Sequence, residues 1–100
     1  MDWDNARIFL GVARAGQFLA ASRRLNLDHA TVSRRIGALE TSLGARLFDR
    51  RTSGCFLTPA GERFLAAAER MEADMLRTQA EIGAADVDVA GAVRVGAPDG

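Results

Sequence analysis

The stretch Phe18-Leu19-Ala20-Ala21-Ser22-Arg23-Arg24-Leu25-Asn26-Leu27-Asp28-His29-Ala30-Thr31-Val32-Ser33-Arg34-Arg35-Ile36 holds two helices and almost nothing between them. Phe18, Ala21, Ser22 and Leu25 share one face at helical spacing, and Ala20 and Ala21 leave room for a close neighbour. Asp28 is a good N-cap for the next helix. Leu27 before it and Val32 after it occupy the N′ and N4 positions of a hydrophobic staple. Val32, Ile36, Leu39 and Leu43 then follow at 4-3-4 spacing, and Gly44 supplies a stop, where a left-handed residue costs least. Only Asn26, Leu27 and Asp28 separate the two helices, a turn tight enough for a helix-turn-helix.

On either side the pattern extends this unit. Upstream, Ile8, Phe9, Val12 and Ala13 form an apolar stripe that ends at Gly16, with Asp2 or Asp4 as the cap. Downstream, Leu47-Phe48 and Cys55-Phe56-Leu57 are short β-like runs around Arg50, Arg51, Thr52, Ser53 and Gly54. They predict a hairpin with two arginines at its tip. Three helices followed by a small β-hairpin wing make a mainly α winged helix-turn-helix. Thr58-Pro59 then opens a long helix, since proline suits the first helical position. Phe64, Ala68, Met71, Met75, Thr78 and Ile82 repeat along it as a coiled-coil-like seam, widened by Leu65 and Leu76. Its far end finds nothing left in the chain to bury against, so a homodimer is expected through these residues. Ala84 to Ala90 is small and acidic like a linker, and Gly91 to Ala97 alternates like a strand without a sheet. The expected organisation is a winged helix-turn-helix over 1–58, a dimerisation helix over 59–83, a hinge over 84–90 and the start of a further domain over 91–100. The chain then reads as the front piece of a longer protein.

The composition fits a globular domain and excludes several classes of function. The chain has 100 residues, 48% hydrophobic and 26% charged, too apolar for a disordered tail. No apolar run is long enough to cross a membrane. The acidic start, Met1-Asp2-Trp3-Asp4, is unlike a signal peptide, so the expected compartment is the cytoplasm. One cysteine and one histidine leave no disulfide, no expected metal site and no expected cofactor. No nucleophile, base and orienting group can be assembled, so an enzyme is not expected. The net charge of zero conceals a split: residues 1–60 carry nine Arg and five acids, and residues 61–100 carry four Arg and eight acids. A basic front half suits a polyanion, because a phosphate backbone senses the local surface.

On a helical wheel, the third helix turns Ala30, Arg34 and Thr41 away from its apolar sector, with Gly37 and Ala38 beside them. Small side chains let a backbone approach a major groove, and an arginine there can grip guanine O6 and N7 with two bonds. Thr31 and Ser33 lie on the flanks. His29 lies in the first turn, the end that meets bases in a helix-turn-helix. The expected base contacts are therefore His29, Ala30, Thr31, Ser33 and Arg34. Arg50, Arg51, Thr52 and Ser53 on the wing, with Arg23, Arg24 and Arg35, are the expected contacts to phosphate or minor groove. Arg35 and Arg46 have a structural alternative, pairing with Glu40 or Asp49. Two rival functions stand beside DNA reading. One is an interaction module using the Met71/Met75 face. The other is a redox sensor acting through Cys55, although that thiol's apolar neighbours suit a buried, inert group.

Several motifs in order resemble the LysR-type transcriptional regulators. They are Ala20-Ala21-Ser22-Arg23-Arg24-Leu25, Thr31-Val32-Ser33-Arg34-Arg35-Ile36-Gly37-Ala38-Leu39-Glu40, Leu43-Gly44-Ala45-Arg46-Leu47-Phe48-Asp49-Arg50 and Leu57-Thr58-Pro59-Ala60-Gly61. The resemblance implies a bacterial protein that binds promoter DNA, with the long helix pairing two such domains. It implies that the Gly91–Ala97 segment begins an effector-binding domain for a small molecule, and that a longer chain can form a tetramer. By position it carries base contact to His29, Ala30, Ser33 and Arg34, and minor-groove contact to Arg50 or Arg51. Three features depart from the family pattern: Asp28-His29-Ala30 where Ser-Gln is common, Gln17 where Ser starts the second helix, and a longer, glycine-bearing wing.

Overall fold

A computed structural model describes residues 3–93, with side-chain surroundings through residue 84. The element order is α1 (Trp3–Ala15), α2 (Phe18–Leu25), α3 (His29–Leu43), β1 (Phe48–Arg51), β2 (Gly54–Leu57) and α4 (Pro59–Val93). The two strands form an antiparallel hairpin in which Phe48 pairs with Leu57 and Arg51 with Gly54. This is the winged helix-turn-helix expected from the helical spacing and the hairpin signals.

The helix ends follow from local chemistry. Gly16 and Gly44 adopt left-handed φ of 76° and 69°, and Asn26 closes α2 at φ 57°, the conformation that releases the chain from a helix. Asp28 is the N-cap of α3, but its carboxylate accepts from Thr31 Oγ1 at 3.2 Å and makes no bond to a backbone N–H. Thr58 caps α4 by accepting from the Gly61 N–H at 3.0 Å, while its hydroxyl donates to the Arg46 carbonyl at 2.6 Å. One side chain thus fixes both the start of α4 and the exit from α3.

The core lies where α1 is wrapped by the other helices. Ala6, Ile8, Phe9, Leu10 and Val12 are all buried, a broader face than the Ile8, Phe9, Val12 and Ala13 stripe alone. Phe9 meets Phe48 at a centroid distance of 5.1 Å and Phe64 edge-on at 4.8 Å. These contacts join α1 to β1 and α4, at ring spacings typical of favourable aromatic pairs. Gly61 permits the tight seat of α4, because a Cβ there would lie 2.1 Å from the Leu47 carbonyl oxygen. Glu40 holds the entrance to the wing: its Oε2 accepts from the Leu47 N–H at 2.8 Å and faces Arg46 Nε at 3.6 Å.

Three expectations are revised here. Leu43, assigned to the core face of α3, is 40% exposed. The last turn of α3 runs past the main core, and Leu43 borders a shallow depression with Ala45, Ala60 and Ala67. Gly83 does not end the long helix, which continues to Val93 through the stretch 84–90 expected as a hinge. A glycine costs a helix only about 1 kcal/mol relative to alanine, and Ala84 and Ala85 favour continuation. Of the expected strand over 91–97, residues 91–93 are helical and the rest lies outside the described residues.

Candidate nucleic-acid interface

α3 turns Val32, Ile36 and Leu39 inward, all essentially without exposure. Its outer face therefore carries His29, Ala30, Arg34 and Ala38, all exposed, flanked by half-buried Thr31, Ser33 and Gly37. Arg34 projects from this face with no carboxylate partner among the described residues. A long cation among alanines and glycine is a shape that a groove can accept.

The neighbouring Arg35 has a different role. Its Nε donates to Asn5 Oδ1 at 2.8 Å and its Nη2 to Asp4 Oδ2 at 2.7 Å. The guanidinium ties α3 to the first turn of α1, so Arg35 is drawn away from the phosphate contact expected of it. Neither Glu40 nor Asp49 is its partner, whereas Arg46 does face Glu40. Arg23 and Arg24 are exposed on the last turn of α2, where cations also complement the helix dipole.

The wing arginines stand in β1, and Thr52 and Ser53 form the tip. The strand's alternation sends its two arginines to opposite sides. Arg50 points back toward the helices: its guanidinium lies 3.6 Å from the Phe18 ring centroid, and its Nη2 donates to Ser33 Oγ at 3.4 Å. Arg51 points outward, 4.8 Å over Phe56, and pairs with Asp49 at 2.9 Å. The β2 end is pinned separately, by the Cys55 N–H donating to the Gly16 carbonyl at 3.0 Å. At Gly54 (φ 144°), a Cβ would lie 2.9 Å from that same carbonyl oxygen. Between wing and helices runs an open cleft of roughly 280 Å³, lined by Phe18, Leu19, His29, Arg50, Thr52 and Cys55 among others.

Cys55 is half-buried at this cleft. Burial pushes its thiol pKa up, against an opposing pull from the Arg50 charge. A thiol kept protonated is a poor nucleophile, which weighs against the redox rival.

The α4 seam divides in two. Phe64 and Ala68 are 8% and 0% exposed, because they belong to the chain's own core, and Met71 packs partly against it. Phe64 and Ala68 are therefore withdrawn from the dimer surface assigned to them. Met75, Leu76, Thr78 and Ile82 remain exposed. A bidentate pair missed by the sequence reading marks the boundary: Arg14 donates to Glu72 at 3.0 and 2.6 Å, joining α1 to α4.

The family model for bacterial regulatory helix-turn-helix proteins of the lysR family matches residues 3–62. The chain belongs to the LysR family. Among its relatives, the HTH-type transcriptional regulator TfdS of Cupriavidus pinatubonensis is 45% identical over 71 residues, which is 71% of this chain and 24% of TfdS. An uncharacterized HTH-type transcriptional regulator of Azotobacter vinelandii is 38% identical over 91 residues, 91% of this chain and 63% of its own length. The chain thus spans about a quarter of TfdS. The solved CbnR DBD–DNA complex matches with a TM-score of 0.79 and 35% identity, over 85% of this chain and 98% of that one. The BenM DBD complex with catB site 1 DNA matches with a TM-score of 0.80 and 25% identity, over 83% and 93%. No helix among the described residues is long and apolar enough to cross a membrane.

Proposed function

We propose that this chain is the DNA-reading part of a bacterial LysR-family transcriptional regulator, with α3 in the major groove of promoter duplex. The observation that carries this reading is the outer face of α3, where Arg34 stands unpaired among small residues while Arg35 is held back on α1. Arg34 grips guanine, and His29, Ala30, Thr31 and Ser33 line the remaining base contacts. Thr52, Ser53 and Arg51 on the wing, with Arg23 and Arg24 on α2, meet phosphate or the flanking minor groove. Two copies pair along α4 through half-buried Met71 and exposed Met75, Thr78 and Ile82, and read two half-sites on one duplex. Residues 1–58 form the reading domain, completed by the first turns of α4 that carry Phe64 and Ala68 into its core, and the rest of that helix is the linker. A domain beyond it takes a small-molecule effector, and the longer protein forms a dimer or tetramer. The protein acts in the cytoplasm at the nucleoid, without catalysis and without a metal or cofactor.

The test is fluorescence-anisotropy binding to duplex from the upstream region of its own gene. A scrambled duplex, a salt series and Arg34→Ala run in parallel. The native duplex should bind more tightly, affinity should fall steeply with salt, and Arg34→Ala should remove the preference at a cost of about 1–3 kcal/mol. Equal weak binding of both duplexes, unchanged by Arg34→Ala, would move the interaction-module reading ahead.

A further inference from the structure

A serine hydroxyl both donates and accepts, so on its own it discriminates poorly between base edges. Ser33 is not on its own. The Arg50 Nη2–H occupies its oxygen from the wing side, across 3.4 Å. That is a long hydrogen bond, and its importance is orientation more than strength. Anchoring comes from the other contact, because the Arg50 guanidinium carbon lies over the Phe18 ring, 3.6 Å from its centroid. Phe18 is itself fixed in the core, edge-on to Phe48 at 5.7 Å. The Cys55–Gly16 bond holds the partner strand, directly opposite Arg50 in register. The guanidinium is therefore carried to Ser33 on a rigid mount.

We propose that Arg50 is a positioning residue for base reading: seated over Phe18 with an N–H on one lone pair of Ser33 Oγ, it favours donation by the Ser33 hydroxyl, so Ser33 prefers a base with a major-groove acceptor. The acceptors there are purine N7, guanine O6 and thymine O4, whereas cytosine offers the N4 donor. Arg50 then acts on the major groove through Ser33, and minor-groove contact falls to Arg51 and the Thr52-Ser53 tip. This inference rests on the DNA-reading function proposed above.

The experiment selects preferred duplexes from a random pool with the unaltered chain, then measures affinity for every single-base variant of one half-site. Arg50→Ala, Ser33→Ala, the double variant and Arg50→Lys are compared, with thermal unfolding as the folding check. Arg50→Ala and Ser33→Ala should flatten preference at the same base pair by roughly 2- to 10-fold, the scale of one net hydrogen bond. The double variant should flatten it no further, and Arg50→Lys, which keeps charge but loses the planar fork, should not restore it. A uniform loss across sequences with a shallower salt dependence would make Arg50 a phosphate contact and overturn the proposal. Flattening confined to a flanking A·T pair, or full rescue by lysine, would overturn it as well. If Arg50→Ala does not fold, Phe18→Leu removes the aromatic face under Arg50 while keeping an apolar side chain in the core, and, with folding confirmed by thermal unfolding, should flatten the same base pair. Absence of any sequence preference in the unaltered chain would instead sink the DNA-reading function, leaving the two failures distinguishable.

Discussion

The two halves of α4 carry the same apolar repeat and meet opposite fates. In the near half, Phe64 and Ala68 vanish into the core of their own domain. In the far half, Leu76 and Ile82 are 60% and 56% exposed. The repeat identifies which face of a helix is apolar, but it does not say what covers that face. Coverage depends on which elements fold back alongside. Here α1 meets α4 at Phe64 through Phe9 and at Glu72 through Arg14.

The sharpest way to break the comparison is to cut the near half. Phe64→Ala removes a ring that packs edge-on against Phe9, and should cost about 3–5 kcal/mol, as large-to-small aromatic substitutions in cores do. Chemical denaturation read by circular dichroism should show a lower midpoint with the slope unchanged. A loss below about 1 kcal/mol would mean that Phe64 belongs to a surface after all.

The far half should respond differently. Met75→Asp together with Ile82→Asp should leave the winged helix-turn-helix folded, because neither residue belongs to its core. Self-association should weaken by about 1.5–3 kcal/mol for each apolar side chain that the pairing had buried. Analytical ultracentrifugation over a concentration series measures this directly. An unchanged dissociation constant would move the pairing surface elsewhere, and the Leu43 depression beside Ala60 and Ala67 would be the next place to examine.

What was legible in the sequence was local. Asn26 to Asp28, Gly16, Gly44 and Thr58-Pro59 set helix ends within a few residues of themselves, and each boundary lies where those residues put it. The apolar spacing of Val32, Ile36 and Leu39 gave the inner face of α3, and hence its outer one. The partners of the arginines were not legible. Arg35 finds Asp4 across 31 residues of sequence and Arg14 finds Glu72 across 58. No periodicity encodes such pairings, since they depend on how whole helices pack. The wing shows the same limit: two adjacent arginines read as one basic tip, yet strand alternation sends Arg50 to Phe18 and Arg51 to Phe56. Gly83 misled because glycine ends a helix only when the chain turns left-handed, and it does not do so there.

The smallest expected effect lies at the boundary between the two halves, at Arg14 and Glu72. The hydrogen bonds from Arg14 hold the Glu72 carboxyl below its ordinary value of 4.5, and the same bonds raise Arg14. A carboxyl depressed in the folded state stabilises it above the unfolded value, and that stabilisation fades as pH falls through the folded one. The pair is solvent-exposed and screened, so its contribution is modest. Glu72→Gln should therefore lower Tm slightly at neutral pH, and the gap from the unaltered chain should close as the pH drops below the ordinary glutamate range. Added salt should narrow the same gap at neutral pH. A gap that persisted at low pH would show that Glu72 holds α1 to α4 by packing of its stem and not by its charge, and the boundary would then be set by the core alone.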